Sequence, residues 1–329
     1  MATTFSIDFM RWRKVAAVIS TVLVLASITS LAINQLEWGL DFTGGTLVEV
    51  AYPEPADPVS LRALLDEAGY EGHVVQFFGS DRDILVRMPP QTGGTAEENA
   101  KLGDEVFDSL AAGAGIAECV GEVPEDGPTG CLAKRRIEFV GPAVGEELRD
   151  QGGLGVLTAL GLVMLYIAFR FQLKFSFGAV IALFHDVVIA LGIFSVARWN
   201  FDLTVLAAML AVIGYSLNDT IVVSDRIREN FRKIRRGTPT DIINTSLNQT
   251  LGRTLVTSFT TLLVLFALLI LGGELIQGFA LGLIIGVIVG TYSSIYIAAN
   301  SLLALGISKD DLAVPVKEGA EPEDVPQSF

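Results

Sequence analysis

The chain has 329 residues, 51% of them hydrophobic, and carries 23 Lys and Arg against 37 Asp and Glu for a formal net charge of −14. So acidic a chain offers no basic footprint for nucleic acid, and two cysteines and two histidines in no ligand-like spacing leave no metal site to propose. Its apolar residues gather in long runs with almost no charge, and that distribution decides for a membrane protein.

Six such runs occur, at 15–33, 154–169, 175–197, 203–223, 255–271 and 275–305. Each is close to or above the ~17–25 residues that a helix rising ~1.5 Å per residue needs to cross ~30 Å of hydrocarbon. The pattern predicts an α-helical polytopic membrane protein with six transmembrane helices, the first over 15–34. The other five form a bundle over 153–305, at about 153–171, 175–197, 203–223, 254–272 and 277–305. Residues 1–14 form an N-terminal segment, 224–253 a basic loop and 306–329 a tail. "RWRK" (11–14), the first apolar run and "SLA" (30–32) also fit a cleavable signal peptide, but the run exceeds the usual ~7–15-residue apolar region and cleavage would remove a helix.

The net charge hides two populations. Residues 35–152 hold 8 Lys and Arg against 23 Asp and Glu, and the rest of the chain holds 15 against 14. Basic residues cluster before the first span (Arg11, Arg13, Lys14), between the second and third (Arg170, Lys174), and after the fourth (Arg226, Arg228, Arg232, Lys233, Arg235, Arg236). The alternate short loops hold only Arg198. The positive-inside rule then places both termini in the cytoplasm and residues 35–152 across the membrane.

That translocated segment reads as a compact α/β domain. "GTLVEVAY" (45–52) alternates like a strand, and "PVSLRALLDEAGY" (58–70) puts Leu61, Leu64 and Leu65 on one helical face with Gly69 as a stop. "HVVQFF" and "DILVRM" read as a strand pair turning around 79–82. "ENAKLGDEVFDSLAAG" (98–113) aligns Leu102, Val106 and Leu110 on a second helix, and "RIEFV" (136–140) closes the set. The order β-α-β-β-α-β is that of a ferredoxin-like domain, which by itself implies no activity. Cys119 and Cys131 flank a loop containing Pro124, Gly127, Pro128 and Gly130 in an oxidising compartment; they either close a disulfide or stand as two free thiols at a hairpin.

In the last span Gly278, Gly282, Gly286 and Gly290 recur every four residues, one ridge on which a neighbouring helix can approach closely. In the fourth span Ala208, Ala211, Tyr215 and Asp219 share a stripe, so Asp219 is expected to face another helix. The basic stretch after it carries Ile227, Phe231 and Ile234 at helical spacing, which fits either a surface helix at the headgroups or a plain orientation signal.

Asp219 lies about 6 Å of helix rise inside the end of its apolar run, and Arg253 lies just before the fifth. Consecutive antiparallel helices bring both near the cytoplasmic third, where they can pair. Asp186, beside His185, falls near the middle of the third span. Intramembrane carboxylates are costly and mark proton or ion pathways. Desolvation makes a carboxyl hold its proton and a nearby guanidinium releases it, so a carboxylate that alternately gains and loses an Arg neighbour couples protons to conformation. Against that stands a purely structural role, with Asp219 bonded to Asn218, Ser216 or Thr220 or serving as an interface charge. A lone membrane histidine such as His185 is a weaker candidate still.

"WGLDFTGGTLVEV" (38–50), "RIEFVGPAVGEEL" (136–148) and "VIGYSLNDTIVVSDRIRENFRKIRRG" (212–237) resemble the motifs of the SecF family, in matching order and spacing from about Trp12 to Leu305. The resemblance implies an accessory subunit of the bacterial Sec protein translocase, of the RND superfamily. Such a subunit works with SecD beside the SecYEG channel, uses the proton-motive force to promote preprotein export across the inner membrane, and has YajC and membrane lipid as further partners. It matches the family's Asp of "SLNDT" to Asp219, its Arg early in the fifth helix to Arg253 and its "HDV" to 185–187. It implies no cofactor and no covalent chemistry. The alternative is half of a proton-driven RND-type exporter of small molecules or lipids; an intramembrane enzyme lacks any Ser/His pair, paired-Asp motif, metal cluster or nucleotide loop in this sequence. "LDFTGG" (40–45) leads into the first strand of the domain, its glycines suited to a tight turn.

Overall fold

The computed structural model describes residues 7–90, 96–119, 128–170, 173–234, 236–308 and 311. A short 3-10 turn, Phe9–Trp12, opens into α1, Arg13–Ile33. The first short strand, β1 (Glu37–Trp38), and a single helical turn, α2 (Leu40–Thr43), lead into the soluble domain. That domain consists of β2 (Gly45–Ala51), α3 (Pro58–Glu67), β3 (Val74–Phe78), β4 (Ser80–Met88), α4 (Ala96–Ala114) and β5 (Ala133–Val140). The remaining bundle is α5 (Pro142–Arg170), α6 (Leu173–Ala197), a two-residue strand β6 (Asn200–Phe201), α7 (Leu203–Lys233), α8 (Pro239–Leu271) and α9 (Glu274–Ala304). Six of these helices are long and apolar enough to cross a membrane, as the six apolar runs predict.

The soluble domain is the predicted ferredoxin-like unit. Its sheet has the order β3-β4-β2-β5 with every pair antiparallel. Alternation explains its two faces. Val48, Val50, Val75, Ile84, Val86 and Met88 point into a core with Leu61 and Leu65 of α3 and Leu102, Val106 and Leu110 of α4. The opposite face looks toward the end of the helix bundle and bounds, with that end, a cleft of about 980 Å³. Asp57 caps α3, accepting from the Val59 and Ser60 amides, Pro58 occupies its first turn, and Gly69 at φ +85° lies just beyond its end. A disulfide joins Cys119 to Cys131, with the Cα atoms 5.0 Å apart, and so resolves the alternative that composition left open.

In the bundle, α9 is the central helix, packed on α6, α7 and α8. The glycine ridge explains how. A Cβ on Gly278 would meet Val205 at 2.9 Å, on Gly282 Ala208 at 3.0 Å, on Gly286 Val212 at 2.0 Å, and on Gly290 Ser216 at 3.1 Å. The four glycines thus seat α9 directly on one stripe of α7. That stripe differs from the expected one. Val205, Ala208, Val212, Ser216 and Asp219 are buried, whereas Ala211 is exposed and Tyr215 only half-buried, because the near-continuous contact with α9 tilts the inward face by about one position.

α1 packs on α6 and α9 through serines that hydropathy alone does not single out. Ser30 and Ser195 hydroxyls lie 2.8 Å apart, Ser20 meets the Tyr292 hydroxyl at 2.9 Å, and Ser27 fills the space a Cβ on Gly192 would occupy. Small hydroxyl side chains let helices approach and bond in an apolar medium.

The expected loop over 224–253 is mostly helix. α7 runs on to Lys233 and α8 starts at Pro239, leaving a connection of 234–238. The periodic Ile227 and Phe231 are buried against Ile242, Ile243 and Leu247, so the amphipathic face meets protein where a headgroup surface was one expectation. Asn230 stitches the hairpin, its amide donating to Ser246 Oγ at 2.8 Å and Gln249 Oε1 at 2.9 Å, and Thr238 with Asp241 forms a capping box at the start of α8. The helix that carries the second apolar run likewise starts earlier than 153, as α5 continues unbroken from Pro142.

Candidate functional site in the helix bundle

Among the described residues, the buried Asp and His side chains of the bundle lie on α6 and α7. Asp186 is fully buried on α6. His185 Nδ1 lies 2.8 Å from its Oδ1, and Ser216 Oγ of α7 donates a short hydrogen bond to its Oδ2. The His185 ring stacks on Tyr292 of α9 with centroids 6.2 Å apart, and its Nε2 is buried without a hydrogen-bond partner. The Tyr292 hydroxyl is engaged elsewhere, donating to the Ala16 carbonyl at 2.9 Å.

Asp219 sits three residues beyond Ser216 on the same stripe, about 4.5 Å further along α7, and is 4% exposed. Its Oδ2 is buried with no partner, and so are the hydroxyls of Tyr215, Thr220 and Thr254. None of the three neighbours considered from sequence holds it. Ser216 is committed to Asp186, the Thr220 hydroxyl is itself unpartnered, and Asn218 is exposed on the far side of the helix. A buried carboxylate oxygen without a hydrogen-bond partner is costly in a folded interior.

Arg253 does not close the pair that antiparallel geometry suggests. Its side chain is exposed on α8, and no ion pair with Asp219 forms among the described residues. Asp186 has two close partners, whereas Arg253 stands at the bundle surface. No sequence signal marks Ser216 as more than a neighbour of Asp219, since its partner lies 30 residues away on another helix. Among the described residues no group of three His, Cys, Asp or Glu side chains assembles a metal site.

The chain matches the model of the protein export membrane protein SecD/SecF C-terminal region over residues 128–308 and that of the SecD/SecF GG motif over residues 29–52. The chain belongs to the SecD/SecF family. It is 48% identical over 98% of its length to the protein translocase subunit SecF of Vibrio alginolyticus, covering 97% of that protein. It is also 48% identical over 94% of its length to SecF of Pseudomonas aeruginosa, covering 95% of it. Among solved structures it resembles SecDF of Thermus thermophilus, described as a translocon-associated membrane protein, with a TM-score of 0.77 at 35% identity over 93% of this chain. It spans 39% of that longer SecDF chain. The range matched by the GG-motif model includes Gly44 and Gly45, and the C-terminal model covers the entire α5–α9 bundle with its Asp186, Ser216 and Asp219.

Proposed function

We propose that this protein is a SecF-type accessory subunit of the Sec translocase, which with SecD uses the proton-motive force to promote preprotein export. The names of its relatives support the assignment to translocation. The observation that carries the proton coupling is the buried Asp219 carboxylate with an unpartnered Oδ2 inside the helix bundle. In this reading Asp219 takes up a proton from one side and gives it up to the other. Arg253 approaches when the bundle rearranges and favours the ionised form. Asp186, held by His185 and Ser216, is a second proton-binding group one turn away.

The reading places the chain in the bacterial inner membrane with both termini cytoplasmic and the ferredoxin-like domain periplasmic, in keeping with the clustering of basic residues on one side of the spans. SecYEG, the preprotein and YajC are partners of the assembly. Arg253 of α8 and Asn218 of α7 are exposed polar groups that hydrocarbon does not tolerate without company. In this reading SecD supplies that company. The protein performs no covalent chemistry of its own.

Asp219→Asn tests the proposal. It is isosteric and removes the titration, so gradient-dependent export is lost while the protein accumulates and assembles normally. Pulse-chase export with and without a proton gradient reads this directly, and gradient-dependent export at the parental rate by that variant refutes the assignment.

A further inference from the structure

The "LDFTGG" segment has no chemistry in the account above, yet it lies where the soluble domain meets α7. β1 pairs in parallel with β6, Glu37 opposite Asn200 and Trp38 opposite Phe201, and the Gly39 amide extends the ladder to the Phe201 carbonyl at 2.8 Å. Trp38, Phe42 and Phe201 form a ring cluster with centroids 5.4–6.1 Å apart. Asp41 then reaches the first residue of α7, its Oδ2 accepting the Leu203 amide at 3.0 Å, beside the helix's own cap Asp202, which takes the Val205 amide. Helix N-termini leave amides unpaired, and a carboxylate there also meets the positive end of the helix dipole.

The other end of the segment is seated against the sheet without slack. Gly45, at φ +123°, lies so close to β4 that a Cβ would stand 2.2 Å from the Met88 carbonyl oxygen, and a Cβ on Gly44, at φ +68°, would stand 2.8 Å from Pro142 at the start of α5. Gly145 of α5 in turn packs on the Gly44 amide. Arg87 of β4 donates to the Thr43 hydroxyl at 3.0 Å and to the Trp38 carbonyl. Both chain connections of the domain, into β2 and out of β5, converge on this contact. α7 is the helix that carries Ser216 and Asp219.

We propose that Asp41 is a positioning residue that welds the soluble domain to α7, so that the two move as one body when the bundle responds to protons. The proposal rests on the reading of Asp219 given above. The glycines supply the close seat, the β1–β6 ladder the lateral bond and Asp41 the bond along the helix axis. A rotation of α7 is then delivered to the sheet without an intervening hinge.

The test uses the full chain in its assembled complex. Asp41→Ala removes the acceptor, whereas Asp41→Asn keeps a side-chain oxygen for the Leu203 amide. Amide exchange of the peptide spanning 200–206 rises about tenfold in Asp41→Ala and much less in Asp41→Asn, as loss of one capping bond in a locally opening segment implies. Gradient-dependent export falls about fivefold in Asp41→Ala at unchanged abundance, the effect of weakening one such bond. A Glu37→Cys, Asn200→Cys pair, oxidised with the Cys119–Cys131 bond intact and verified by peptide mapping, restores export to Asp41→Ala and leaves the parent chain at its normal rate. Parental exchange and export by Asp41→Ala, or a block of export by the cross-link that reductant reverses, overturns the weld. Asp219→Asn run in parallel separates the two ideas, because its failure to impair export removes the proton reading while the exchange measurement still judges the weld.

Discussion

Ser216 of α7 donates its hydroxyl to Asp186 of α6, and Gly290 of α9 lies against that same serine with no room for a larger side chain. Three helices therefore meet at one buried hydrogen bond, one turn from the unpartnered carboxylate of Asp219. A conformational change that rotates α7 cannot leave this contact unaltered.

Removing the hydroxyl exposes its cost. Ser216→Ala leaves a buried carboxylate oxygen of Asp186 without its donor, a loss of about 1–3 kcal/mol. Thermal unfolding of the purified protein in detergent is expected to shift downward accordingly. Equal melting of Ser216→Ala and the parent contradicts the bond.

The glycine ridge makes a graded prediction. Gly286→Ala puts a methyl 2.0 Å from Val212 Cγ2 and forces α7 and α9 apart, at about 1–3 kcal/mol. Gly214, exposed on α7 with open space around it, provides the control: Gly214→Ala is neutral or stabilising by up to about 1 kcal/mol. Melting temperatures of the two variants are expected to fall on opposite sides of the parent, or the second on it.

The disulfide closes a loop with a sequence separation of 12 between its cysteines. Constraining so short a loop stabilises the soluble domain by about 2–3 kcal/mol. Cys119→Ser with Cys131→Ser is expected to raise the susceptibility of that domain to limited proteolysis in the full chain, with the bundle unaffected. Alkylation before and after reduction verifies the bond itself.

Tyr52 supplies a pH dependence confined to the soluble domain. Burial pushes its phenol from an ordinary value of 10.0 up to about 12, and its hydroxyl finds no hydrogen-bond partner. The folded domain thus holds this proton where the unfolded chain has lost it, so stability is unaffected below pH 10 and falls as pH rises from there toward about 12. Tyr52→Phe removes that alkaline dependence and, because no bond is lost, keeps the stability at neutral pH. Alkaline unfolding curves of the two proteins, followed by proteolysis of the domain, check both statements.

Much of the architecture is legible in the chain because it depends on local periodicity. Six apolar runs of spanning length, the alternation in β2, and Leu61, Leu65, Leu102, Val106 and Leu110 at helical spacing each declare a buried face wherever the partner lies. The four-residue glycine repeat announces close packing, and the carboxylate of Asp219 stands out because hydrocarbon makes it costly.

What the tertiary structure alone decided is which faces meet. Period does not say that the glycine ridge of α9 rests on Val205, Ala208, Val212 and Ser216, nor that Ile227 and Phe231 are covered by α8 and not by headgroups. Nor does it join Ser216 to Asp186, leave Arg253 exposed, or bring Asp41 to the amide of Leu203. Each of these is a distance between residues remote in sequence, set by how rigid helices of fixed pitch settle against one another, and a linear pattern contains the faces but not their pairing.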